Sequence, residues 1–154
     1  VLFYSPSLSP FSNTEEVSAQ YQAVLDGNPL QLIDVGGTEV VLLDAEDPYA
    51  GRTAIREPNT RFVAFVFDIA NRDSLFTLIG EEAFRLKDSS GRNHPPEFVL
   101  IDQRLLSYSL AQGEGTTVTV VFEIDEQYDP AELTYSPGFA AFLPFGTRVR
   151  FVFR

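Results

Sequence analysis

Residues 116–124 read Thr-Thr-Val-Thr-Val-Val-Phe-Glu-Ile, which places Val118, Val120, Phe122 and Ile124 at every second position. Side chains of an extended chain point alternately to opposite faces, so this spacing gives one buried face and one wetted face. A helix would scatter the same residues around its circumference. Runs of the same kind recur at residues 61–70, 83–87 and 148–153, with Gly, Pro, Asn and Asp between them. Several alternating runs separated by turn residues predict an all-β, immunoglobulin-like antiparallel β-sandwich.

Individual runs refine that reading. In residues 61–70, Val63, Phe65, Phe67 and Ile69 share one face, while Phe62, Ala64 and Val66 share the other with Asp68. A strand apolar on both sides is interior, with its second face partly covered. Residues 30–35 and 39–43 flank Gly36-Gly37, a pair that supplies the positive φ of a tight hairpin turn. Residues 44–59, rich in Asp, Glu, Pro and Gly, form a long loop. Short strands follow at 83–87, 97–101, 104–109 and 130–135, with turns at 88–91 and 112–115. In the last run Val149, Phe151 and Phe153 face inward, and Arg148, Arg150 and Arg154 face outward.

The first 28 residues form a separate unit: an arm and one short amphipathic helix ahead of a sandwich over 29–154. Val1, Leu2, Phe3 and Tyr4 are apolar, and Pro6 and Pro10 keep the following stretch extended. Ser12 and Glu15 have capping-box spacing, Val17, Tyr21, Val24 and Leu25 recur at helical intervals, and Gly27 closes the run. Exposed apolar side chains on an arm seek cover. Leu2, Phe3, Tyr4 and Phe11 are therefore candidate partner-binding residues, docking on a neighbour or adding as a strand to its open edge.

Charge narrows the function classes. The 154 residues carry 22 acids against 11 bases, for a formal net charge of −11, and Lys87 is the single lysine. Nucleic-acid affinity rests on phosphate contacts, so such a chain is a poor nucleic-acid binder. Three of the 11 bases, Arg148, Arg150 and Arg154, lie on one strand face. They are read either as gatekeepers on a terminal edge strand or as an electrostatic dock for an acidic surface, another copy of this chain included.

Several runs in order resemble a known family. Phe84-x-Leu86-x-Asp88-x-x-Gly91 is followed by Leu110-x-x-Gly113, by Thr117 to Ile124, and by Pro130-x-x-Leu133-x-Tyr135-x-Pro137. Asn71 ends the long strand before them, where that family places an Asn. The pattern, over roughly residues 30–137, is similar to the immunoglobulin-like sandwich domains of unknown function found in bacterial and archaeal lipoproteins and secreted proteins. The resemblance implies an extracytoplasmic, non-enzymatic module with no catalytic residues to carry over. The absence of Met, including at position 1, points the same way, to a processed product whose leader or membrane anchor was removed.

Catalytic and metal motifs are weak. There is no Cys, hence no disulfide, thiolate nucleophile or thiolate metal site. His94 is the lone histidine and is read as an exposed loop residue beside Pro95-Pro96. The densest acid cluster, Asp44-x-Glu46-Asp47, offers oxygens to Ca²⁺ without the glycine rhythm of a calcium loop. No cofactor is expected. The favoured role is a structural or protein-interaction subunit of a surface or membrane-associated assembly. The alternative is a module binding calcium, a glycan or a cell-wall polymer through residues 44–59, Tyr49 and Tyr108.

Overall fold

The protein is described by a computed structural model over residues 12–51, 57–73, 76–102, 104–105, 108–137 and 146–154. Residues 1–11, and with them Leu2, Phe3, Tyr4 and Phe11, lie outside the described residues.

Among the described residues, thirteen strands form two principal sheets and a two-stranded ribbon. In chain order they are β1 (Ser12–Ala19), β2 (Ile33–Val35), β3 (Thr38–Glu46), β4 (Thr60–Asn71), β5 (Phe76–Ile79), β6 (Phe84–Asp88) and β7 (Asn93–His94). There follow β8 (Phe98–Ile101), β9 (Arg104–Leu105), β10 (Tyr108–Ala111), β11 (Gly115–Asp125), β12 (Pro130–Tyr135) and β13 (Gly146–Phe153). The first sheet runs β1-β13-β12-β6-β7, the second β2-β3-β4-β11-β8-β9, and β5 pairs with β10 in the ribbon.

The expected alternation sets the core. Val118, Val120, Phe122 and Ile124 of β11 and Val63, Phe65, Phe67 and Ile69 of β4 are buried against the inner face of the first sheet. Aromatic rings bridge the sheets: Phe65 stacks on Phe153 at 5.6 Å, and Phe67 meets Phe84 at 5.5 Å and Phe151 at 5.9 Å. Offset and tilted ring contacts at these separations add to the burial of apolar area. The second face of β4 is covered too, since Phe62 and Ala64 form a small cluster with Val121, Tyr49 and Phe98. The hairpin expected around Gly36-Gly37 joins β2 to β3, with φ of 62° and 88° at the two glycines.

Three expectations are corrected. Ser12–Ala19 is a strand rather than a helix start, and it pairs in parallel with β13. The backbone ladder to β13, with Val17 buried opposite Phe151, outweighs the local capping signal. The helix, α1, is only Tyr21–Leu25, and its N-cap residue Gln20 makes no side-chain cap. β1 thus lies N-terminal to the boundary expected at residue 28 and bonds to a strand beyond it. Next, β13 is no edge strand, because β1 flanks it on one side and β12 on the other. Finally, the loop expected from Asp44 begins later, since β3 continues through Glu46 after a register shift at Leu42/Asp44.

Candidate interaction surface

Alternation that sends apolar residues inward sends their neighbours outward, and register decides which of these lie side by side. On the outer face of the first sheet, Glu16 of β1 lies opposite Arg150 of β13. Arg150 in turn faces Thr134 of β12, which faces Arg85 of β6. The adjacent row is Ser18, Val152, Glu132 and Lys87. Arg148 sits on the same face beside Thr14, and Arg154 reaches Ser18 Oγ at 3.4 Å. Arg85, Lys87, Arg148, Arg150 and Arg154 thus share this face with two acids on its strands, Glu16 and Glu132. Both acids are engaged: Arg150 bonds Glu16 at 2.8 Å and Lys87 meets Glu132 at 3.3 Å.

The outer face of the second sheet carries the opposite sign. Register places Asp34, Glu39, Asp44, Glu46, Asp68 and Glu123 outward on β2, β3, β4 and β11. Arg72 reaches in and pairs with Glu39 at 2.6 Å. Between β3, β4 and β11 this face holds an open concavity of about 420 Å³, whose lining includes Leu32, Val41 and Ala70 together with Glu39, Asp68 and Arg72. Leu32 is 54% exposed, the one large apolar side chain so displayed among the described residues. The charge on both faces was readable in the sequence as residues. Its segregation was not, because that depends on which strands join which sheet.

Two polar clusters, one part-buried and one buried, belong to the scaffold. Asp47 accepts from Arg61 Nε at 2.7 Å and from Tyr21 Oη at 2.8 Å. Arg61 also donates to the carbonyls of Asp125 and Glu126 and to Asp129. The hydrogen bond to Asp47 raises the Arg61 pKa against the cost of burial, while burial and then Asp47 raise that of Tyr21. Of the acid cluster, Asp47 is thus engaged within the fold, while Asp44, whose Oδ1 accepts the Ala45 N–H, and Glu46 are exposed. Among the described residues no three His, Asp or Glu group as metal ligands.

The second cluster corrects the reading of His94. It is buried rather than exposed, on β7, and its Nε2 lies 2.7 Å from Asp88 Oδ2. Asp88 Oδ1 also accepts from the Ser90 N–H, the Ser90 hydroxyl and the Arg92 N–H. Burial pushes the Asp88 carboxyl up, but the donors from His94, Ser90 and Arg92 outweigh it and hold the pKa at about 2. The signal for this pair was hairpin register: His94 lies opposite Leu86 across the turn that Asp88 begins. Tyr49 is half-buried against Phe98, so only part of its ring is on offer. The side chain of Tyr108 lies outside the described residues.

Residues 31–142, more than half of the chain, match the family model "Domain of unknown function (DUF4352)". The chain belongs to this family. No curated protein matches the sequence. Among solved structures, the yjhA protein of Bacillus subtilis is similar with a TM-score of 0.57 at 12% identity, over 91% of this chain and 99% of that one. A candidate lipoprotein of the same organism, ycdA, gives a TM-score of 0.54 at 12% identity over 79% of this chain and 37% of its own. The secreted protein MPT63 of Mycobacterium tuberculosis gives 0.49 at 11% identity, over 94% of this chain and 99% of that one. At such identities the likeness is one of fold, the β-sandwich. No helix among the described residues is long and apolar enough to cross a membrane.

Proposed function

We propose that this DUF4352 domain is a non-enzymatic, extracytoplasmic interaction module that docks on an acidic protein surface through the outer face of its first sheet. One observation carries the reading: five bases gather on one sheet face of a chain whose net charge is −11. Scatter over the surface would be the expectation for a solvated coat. The similarity to a candidate lipoprotein supports a place outside the cytoplasm. Leu2, Phe3, Tyr4 and Phe11, ahead of β1 in the sequence, would add apolar contact to the same partner.

The net charge does not defeat such docking. Stacked sheets are spaced about 10 Å apart, and the outer side chains lie farther apart still. The Debye length at physiological ionic strength is about 8 Å, so each face acts through its own charges. Chromatography on a polyglutamate matrix at about 0.1 M salt tests this. The protein is expected to be retained despite its acidity, and the variant Arg85→Glu/Arg154→Glu to flow through. Passage of the wild type with the void volume, or equal retention of the variant, would sink the reading.

A further inference from the structure

We infer that the acidic partner is a second copy of this chain, stacked head to tail with the basic face of one sandwich on the acidic face of the next. The inference rests on the interaction reading above and names its occupant. Both halves of the contact are present in one molecule. The first sheet offers Arg85, Lys87, Arg148, Arg150 and Arg154, and the second offers Asp68, Glu39 and their acidic neighbours. The concavity between β3, β4 and β11 suits a long basic side chain. Leu32, Val41 and Ala70 supply apolar surface for its stem, and Asp68 stands at the rim for its head, beside the Arg72–Glu39 pair. Arg72 already places a guanidinium against Glu39 at this face, so the intramolecular pair displays the chemistry that an incoming arginine would repeat.

Size sets the strength. The five strands, two to eight residues long and about 4.8 Å apart, present roughly 450 Å² a side, below the usual range of specific interfaces. The association is therefore weak and reversible. Because the two faces differ, the contact is heterologous, and a copy bound on one side leaves the other side open for a third. Ionic strength gives the contact a signature. Near 0.01 M the Debye length is about 30 Å and whole molecules of like net charge repel, whereas near 1 M it is about 3 Å and the faces themselves are screened. Association should peak between these limits.

Sedimentation equilibrium up to about 1 mM protein tests the inference. The wild type is expected to exceed monomer mass at about 0.1 M salt and to return towards it near 0.01 M and 1 M. Two variants at exposed positions, each checked by circular dichroism, block one face apiece: Arg85→Glu/Arg154→Glu and Leu32→Lys/Asp68→Lys. Each alone should stay monomeric, and an equimolar mixture should form pairs that grow no further. A wild type that stays monomeric throughout, or variants that associate as it does, would overturn the inference. Should the wild type stay monomeric yet be held by polyglutamate, only the second-copy partner fails. Loss of both results removes the broader reading as well.

Discussion

At the scale of single residues, two of the buried polar groups, Asp88 and Asn71, each fasten a turn. Asp88, 1% exposed, gathers four donors at the β6–β7 hairpin. Its folded pKa of about 2 lies below the ordinary 3.8, so the ionised carboxylate stabilises the fold above the higher value. That stabilisation is lost as pH falls from about 4 to about 2. Allowing for solvent at the open end of the hairpin, Asp88→Asn should cost about 1–2 kcal/mol at pH 7. The two proteins should converge below pH 2, as read by urea unfolding across the range; a pH-independent gap would refute the linkage. Asn71, the residue singled out by the family resemblance, is likewise fully buried. Its Nδ2 donates to the Leu110 carbonyl at 2.8 Å, and its backbone bonds Gly113 and Glu114. Asn71→Ala should cost about 2 kcal/mol by leaving a buried carbonyl short of its donor, with Asn71→Asp failing to restore it.

Between elements, the Arg61 fork is the principal tie. It joins β4 to Asp47 after β3 and to the β11–β12 turn, while Tyr21 brings α1 to the same carboxylate. Removing the fork in Arg61→Met leaves Asp47, 10% exposed, without its compensating charge, and should cost about 3 kcal/mol. Tyr21→Phe removes one hydrogen bond and should cost about 1 kcal/mol. Chemical denaturation checks the order, and a larger loss for Tyr21→Phe would move the anchor to the helix. The strands that pack on both sides were legible because every second residue is apolar, as in β4 and β11. β1 was not: of its described side chains only Val17 is buried in the core, so it shows no alternation. Ser12 and Glu15 then imitate a helix start that the ladder to β13 overrides. His94 was missed because its partner is set by hairpin register rather than by a motif.

Across the whole molecule, the core joins the sheets and the charges divide them. Phe67 touches Phe84, Tyr135 and Phe151 of the opposite sheet, so its loss is felt on both sides of the sandwich. The bases that define the first sheet's outer face alternate with these core residues along the same strands. Stability and docking should then respond to different substitutions within one strand. Phe67→Leu, which trims a packed ring, should lower stability by about 1–2 kcal/mol and leave retention on polyglutamate unchanged. Arg85→Glu/Arg154→Glu, at exposed positions, should abolish retention while shifting stability by no more than about 0.5 kcal/mol. Paired melting and retention measurements on both proteins decide the matter. If the core variant lost retention in proportion to its stability, the basic face would have no role of its own, and binding would follow from the folded state in general.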